Sequence, residues 1–204
     1  MLHVGGVVLC GGQSSRMGRP KAWLPFGSER MLPRVVRLLG EVVAPVVVVA
    51  APGQEVPPLP PGIDLVRDPE QGRGPLQGLI AGLEALRGRA DAAYLSSCDV
   101  PFLQPIFVRR LVELLGGHAI CVPEVGGYRH PLAAVYRLDV AATAAKLLAG
   151  DHSRLAFLFE EVPTRIVQPE ELADSDPTFQ TLRNLNTPAE YEAALRASFP
   201  AESQ

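Results

Sequence analysis

The sequence predicts an α/β protein, a Rossmann-like three-layer sandwich with a mostly parallel central sheet and helices on both faces. Three observations lead there. The runs at 3–10, 45–51 and 92–98 are short and largely apolar on both faces, as strands are inside a parallel sheet covered on both sides. Segments with apolar residues at helical spacing alternate with them. Glycine-rich or polar loops follow the runs at once, and such sheets bind ligands beyond the carboxyl ends of their strands.

In chain order, the first strand, 3–10, is β-branched and gives way directly to Gly11-Gly12. Met31, Leu32, Val35, Val36, Leu38 and Leu39 predict a helix over 30–43. The second strand, 45–51, is nearly all valine, and five prolines between 52 and 61 make the next segment an exposed loop. A short third strand is expected at 63–66, and Leu79, Ile80, Leu83 and Leu86 predict a helix over 78–86. A fourth strand, 92–98, ends at Asp99-Val100-Pro101 and precedes an amphipathic helix over 106–115. With right-handed crossovers, the segments 10–21, 51–61, 68–74 and 99–102 are expected to converge on one crevice.

The second half is less regular. Strands are predicted at 118–123 and 131–137, parted by Gly126-Gly127, with helices at 140–148 and 154–162 and a late strand at 165–168. Thr187-Pro188-Ala189-Glu190 starts a last helix running to about residue 199. Thr is the cap, Pro takes the first helical position and Glu closes the capping box. The expectation is a single domain over 1–204, its second lobe, 117–199, added to the sheet of the first half, 1–116, and followed by a polar tail, 200–204.

Composition narrows the function. At 204 residues, 47% hydrophobic and 20% charged, the chain is expected to fold. A net charge of −3 lacks the basic excess of a general nucleic-acid binder, so an anionic ligand needs a local site. The longest apolar run, 42–51, is broken by Pro45, short of the roughly 18 residues of a membrane span. The opening MLHVGGVVLCGG has neither a basic region nor a signal cleavage site. Cys10, Cys98 and Cys121 are odd in number and far apart, which excludes a disulfide scaffold and a paired zinc motif. A cytoplasmic protein acting on neither nucleic acid nor membranes is expected. The basic residues are 17 Arg and two Lys, Lys21 and Lys146, so a retained Lys hints at a place for a compact ammonium.

Five segments carry candidate chemistry. Residues 9–21, LCGGQSSRMGRPK, follow a strand; Gly11, Gly12 and Gly18 let backbone N–H groups approach phosphate oxygens, and Arg16, Arg19 and Lys21 add charge. The closing Gly-Lys-Ser/Thr of a P-loop is absent, as is Gly-x-Gly-x-x-Gly. Asp99, at the carboxyl end of a central strand, is placed either to hold Mg²⁺ through oxygen or to cap the next helix. Asp68 opens another crevice loop, before a helix whose N-terminus faces an anion. Asn184 and Asn186 alternate along an extended segment and so present two amides to one face, although turn chemistry before the cap also accounts for Asn186. His130, in Arg129-His130-Pro131, either touches an anionic substrate or is structural.

Together these motifs resemble a known family. Residues 9–21, with Gly74-Pro75-Leu76-Gln77-Gly78, Cys98-Asp99-Val100-Pro101, His130-Pro131-Leu132 and Asn184-Leu185-Asn186-Thr187-Pro188, are similar in type and order to the MobA-type molybdenum cofactor guanylyltransferases. The resemblance covers essentially the whole chain. It implies a nucleotide-diphospho-sugar transferase-like fold with a nucleotide-binding half over 1–116 and an acceptor half over 117–199. The activity it implies is transfer of GMP from GTP to the terminal phosphate of molybdenum-molybdopterin, with Mg²⁺ as cofactor and molybdoenzymes or their chaperones as partners. Leu9, Cys10 and Gly11 would meet guanine and ribose, Lys21 the phosphates, Gly12 and Asp68 the nucleotide, and Asp99 both nucleotide and Mg²⁺. Arg16, Lys21 and Asp99 would be catalytic, while Asn184, Asn186 and His130 would serve the acceptor. Relatives often carry an Asn after the second strand, where this chain reads Ala50-Ala51-Pro52. The Gly11-Gly12 pair favours GTP over CTP, since cytidylyl relatives tend to have Ala before the last Gly. The alternatives are a cytidylyl- or sugar-phosphate nucleotidyltransferase, or a non-catalytic nucleotide sensor, on the same fold.

Overall fold

The computed structural model describes residues 2–11, 17–70 and 72–199. Gly12 and Arg16 lie outside the described residues. In order come β1 (Val4–Leu9), β2 (Pro25–Phe26), β3 (Glu29–Arg30), α1 (Met31–Gly40), β4 (Val46–Ala50), β5 (Asp64–Arg67), α2 (Pro75–Ala85), β6 (Ala92–Ser97) and α3 (Pro105–Leu115). The second half adds β7 (Ile120–Val125), β8 (Tyr128–Arg129), β9 (Ala134–Arg137), α4 (Val140–Ala149), α5 (Leu158–Glu161), β10 (Thr164–Val167) and α6 (Pro188–Ser198).

One sheet runs through both halves in the order β10-β7-β9-β6-β1-β4-β5, with β8 paired to β7. β1 pairs in parallel with β4 on one side and β6 on the other, and β5 pairs in parallel with β4. β9 runs against its two neighbours, β6 and β7, and the short β8 runs against β7. The chain therefore leaves β1 in one direction for β4 and β5, then returns to its other side for β6. That reversal opens a crevice at the carboxyl ends of β1, β4 and β6.

The valine runs are strands because both faces are covered. On one face, Val8, Val48 and Tyr94 pack with Leu32, Val35 and Leu39 of α1 and Phe107 and Leu111 of α3. On the other, Val7, Val47 and Leu95 pack with Leu76, Leu79 and Leu83 of α2 and Val140 and Ala144 of α4. The approach of α2 is close: a Cβ on Gly82 would stand 2.4 Å from a Val7 methyl.

Several expected boundaries move, for local reasons. α2 begins at Pro75, since a proline fits the first helical position and Gly74, at φ 80°, supplies the turn before it. The strand expected at 131–137 is a 3-10 turn (Pro131–Ala133) followed by β9. The helix expected over 154–162 is reduced to a 3-10 turn (Leu155–Phe157) and the single turn of α5. Val162 precedes Pro163 and takes the extended conformation that position favours, which ends the helix. The β2–β3 hairpin, closed by Gly27 at φ 65°, was not expected.

A small third core positions the site. Met17, Leu24, Phe26 and Met31 pack with Leu185, Tyr191 and Ala194, and the Tyr191 hydroxyl donates to the Pro25 carbonyl. This cluster fastens the segment carrying Lys21 to the segment carrying Asn184 and Asn186. The Thr187–Glu190 capping box forms, and Glu190 also accepts from the Asn186 N–H at 2.7 Å. No described helix is long and apolar enough to cross a membrane.

Candidate active site

All four loop segments contribute to one cleft of about 1000 Å³ at the carboxyl ends of the strands, among them Cys10, Lys21, Ala51, Asp68, Gly74 and Asp99. Its polar centre is Asp99, 7% exposed, just past β6. Lys21 Nζ donates to Asp99 Oδ2 at 2.7 Å and to Asn186 Oδ1 at 2.7 Å. The other carboxylate oxygen accepts from Ser97 Oγ at 2.6 Å and Asn184 Nδ2 at 2.9 Å. Asn184 also donates to Ser97 Oγ at 3.1 Å.

These positions follow from the backbone. The Leu185 N–H donates to the Asp99 carbonyl at 3.0 Å, and the Leu185 side chain is buried in the third core. Alternation along that extended segment then turns Asn184 and Asn186 together toward the cleft. Lys21 opens a 3-10 turn (Lys21–Trp23) ahead of Leu24, which is buried in the same core. The turn after Asp99 is tied to α1 by Arg34 Nε, which donates to the Pro101 carbonyl at 2.9 Å. A nearly dry carboxylate is costly to bury unless every oxygen is paired, and both oxygens of Asp99 are.

Asp68 lines the cleft from the end of β5, its carboxylate accepting from the buried Gln77 amide. Leu9, Cys10 and Gly11 line the side between β1 and β4. Gly11 does not need a left-handed conformation, and a Cβ there would meet Ala51 N at an ordinary 3.6 Å. The Cys98 thiol, by hydrogen bonding, holds the Cys10 thiol below the usual thiol range; the same bond and burial push Cys98 well above it. Burial pushes Cys121 up to about 12.

His130 is not brought into this cleft by the described residues, whereas Leu132 is. Its Nε2 lies 3.4 Å from the Val125 carbonyl, against the β7–β8 hairpin, and burial lowers its pKa. Its immediate neighbour is thus backbone of the β7–β8 hairpin, beside Leu132, which does line the cleft. Gln54 is a cleft residue that sequence reasoning missed. It lies in the proline-rich loop, and its only sequence signal was its place just past the second strand.

The two asparagines differ from expectation in their immediate partners. They hold the Lys21–Asp99 pair directly, rather than only facing an acceptor. Asp99 Oδ2 and Asn186 Oδ1 thus converge on one cation, and hard oxygens of this kind are the donors Mg²⁺ takes when one carboxylate is completed by substrate phosphates and water.

A mostly parallel sheet with a Lys–Asp pair at its switch point and a glycine-bearing loop beside it defines an α/β nucleotide-binding enzyme. The chain belongs to the MobA-like NTP transferase domain family, whose model matches residues 6–165. It is 37% identical over 200 residues to a Mycobacterium marinum protein named molybdenum cofactor guanylyltransferase, covering 96% of this chain and 94% of that one. A Mycobacterium tuberculosis protein of the same name is 38% identical over 200 residues, covering 94% and 92%. In fold, the chain is similar to molybdopterin-guanine dinucleotide biosynthesis protein A from Archaeoglobus fulgidus, with TM-score 0.77, 20% identity and coverage of 95% and 98%. A 2-C-methyl-D-erythritol 4-phosphate cytidylyltransferase from Thermus thermophilus shares the fold at TM-score 0.68, 19% identity and coverage of 95% and 98%. The chain is therefore a nucleotidyltransferase of the MobA type.

Proposed function

We propose that this protein transfers GMP from GTP to the terminal phosphate of molybdenum-molybdopterin, releasing pyrophosphate and forming the guanine dinucleotide cofactor. The observation that carries the chemistry is the Lys21–Asp99 pair, braced by Asn184, Asn186 and Ser97 at the switch point of the sheet. The choice of GTP and molybdopterin is supported by the names of relatives that cover nearly the whole chain.

The acceptor phosphate is itself the nucleophile and is anionic at neutral pH, so no strong general base is needed. The barrier lies in bringing two anions together and in the charge that develops on the α-phosphate and the leaving pyrophosphate. Lys21 meets that charge with an ammonium whose position is fixed before substrate arrives, so little reorganisation is needed during reaction. Asn184 and Ser97 fix Asp99, and Asn186 fixes Lys21, on the side of the cleft where the acceptor enters. Leu9, Cys10 and Gly11 give a backbone wall for base and ribose, with Asp68 on the nucleotide side. The Asp99 carboxylate would hold Mg²⁺, which when bound supplies positive charge to the phosphates. Molybdoenzymes or their chaperones would receive the product in the cytoplasm.

Base choice tests the reading. Wild-type protein is expected to use GTP in strong preference to CTP, measured as kcat/KM for each. Because a methyl at Gly11 meets only ordinary contacts within the protein, Gly11→Ala should keep the fold while crowding the larger base. It should narrow the preference by ~10-fold or more, the usual effect of one methyl-sized change in a pocket. A wild-type protein that used CTP as well as GTP would remove the guanylyl assignment and leave the broader nucleotidyltransferase.

A further inference from the structure

We propose that Gln54 is a positioning residue for the base side of the cleft: its carboxamide is inserted between β1 and β4 and holds the Cys10 carbonyl where nucleotide binding requires it. The inference rests on the proposed use of GTP.

The β1–β4 ladder runs in parallel with Leu9 opposite Val49, and Cys10 N donates to the Val49 carbonyl at 2.8 Å. In a regular parallel ladder the next rung would be Ala51 N donating to the Cys10 carbonyl. Here that rung passes through a side chain. Ala51 N donates to Gln54 Oε1 at 3.0 Å, and Gln54 Nε2 donates to the Cys10 carbonyl at 3.0 Å. One direct bond is replaced by two, and the strand ends are parted by the width of a planar amide.

The amide is held in turn by its own backbone. Gln54 N donates to the Ala51 carbonyl at 3.1 Å, closing a turn over 51–54. Arg67, at the end of β5, donates through Nη1 to the Ala51 carbonyl at 3.2 Å and the Gln54 carbonyl at 2.5 Å. Immobilising a long, flexible side chain is unfavourable, and a sheet that merely ended here would not require it. The groups that Gln54 braces, the Cys10 carbonyl and the Ala51 N–H, belong to residues lining the cleft, as does Gln54. Without the carboxamide they would close on each other or turn to water, and the Cys10–Gly11 backbone would lose its place. The phosphate side, centred on Lys21 and Asp99, makes no described hydrogen bond with Gln54.

The role is tested by dividing the ligand. Calorimetry in Mg²⁺ would compare GTP with inorganic tripolyphosphate on wild type, Gln54→Ala and Gln54→Glu. Alanine removes both bonds, while glutamate keeps the length and the acceptor but cannot donate to the Cys10 carbonyl. Both variants are expected to bind GTP about tenfold more weakly, the scale of one lost hydrogen bond, with tripolyphosphate binding unchanged. Unchanged GTP affinity in either variant would overturn the proposal, as would equal loss of both ligands in both variants, the mark of general disruption. Tighter GTP binding in Gln54→Ala would also overturn it, because the amide would then be occupying the place of the base. Wild-type protein that bound tripolyphosphate but not GTP would instead refute the guanylyl reading beneath it.

Discussion

Lys21→Ala is expected to lower kcat by ~10²–10³, the usual effect of removing one preorganised donor aimed at developing charge. The mutation also leaves the Asp99 carboxylate without its cation. The pair is not fully dry, with side chains 16% and 10% exposed, and Ser97 and Asn184 still bind Asp99. The stability loss is therefore smaller than for a completely buried pair, about 2 kcal/mol, or a melting temperature lower by about 4–8 °C. Steady-state rates measured well below that temperature separate catalysis from folding. Lys21→Arg should be impaired as well, because a planar fork does not fit where an ammonium points at Asp99 and Asn186 together. Near-normal turnover in Lys21→Ala would show that the phosphates lie elsewhere.

Asp99→Asn should have an effect of similar size through a different route. Both carboxylate oxygens now accept, one from Lys21 and the other from Ser97 and Asn184. An amide has one oxygen and one NH₂, so whichever way it turns it sets a donor against a donor. It also removes the negative charge that holds a hard cation. We expect turnover to fall by ~10²–10³ and the Mg²⁺ concentration needed for half-maximal rate to rise sharply. The check is a Mg²⁺ titration of the variant at saturating GTP. A titration that superimposed on wild type would take the metal role away from Asp99.

The first half of the fold is legible because strands covered on both faces leave a visible trace, a short apolar run between helical patterns, plainest in the four successive valines of β4. The same trace hides direction. β9 lies between β6 and β7 with both faces covered, so Ala134–Arg137 reads like any interior strand although it runs antiparallel. The helix expected over 154–162 ends within a residue of α5, but its first half is a 3-10 turn, because Leu155, Leu158 and Phe159 keep a spacing that suits either kind of turn.

Within the site, local chemistry was legible and long-range pairing was not. Alternation placed Asn184 and Asn186 on one face. What that face meets depends on contacts 85 residues away, to Asp99, and 165 residues away, to Lys21. No local pattern encodes such separations. Gln54 was hidden for a related reason: a polar residue in a proline-rich loop looks solvated until the ends of two strands are seen to part around it.

The most direct measurement is of product. Purified protein would be incubated with GTP, Mg²⁺ and molybdenum-loaded molybdopterin, and the mixture assayed for guanine dinucleotide cofactor and pyrophosphate. The account expects both to form in equal amounts, to require Mg²⁺ and to be nearly lost in Lys21→Ala. No dinucleotide from GTP, or equal product from CTP, would contradict it.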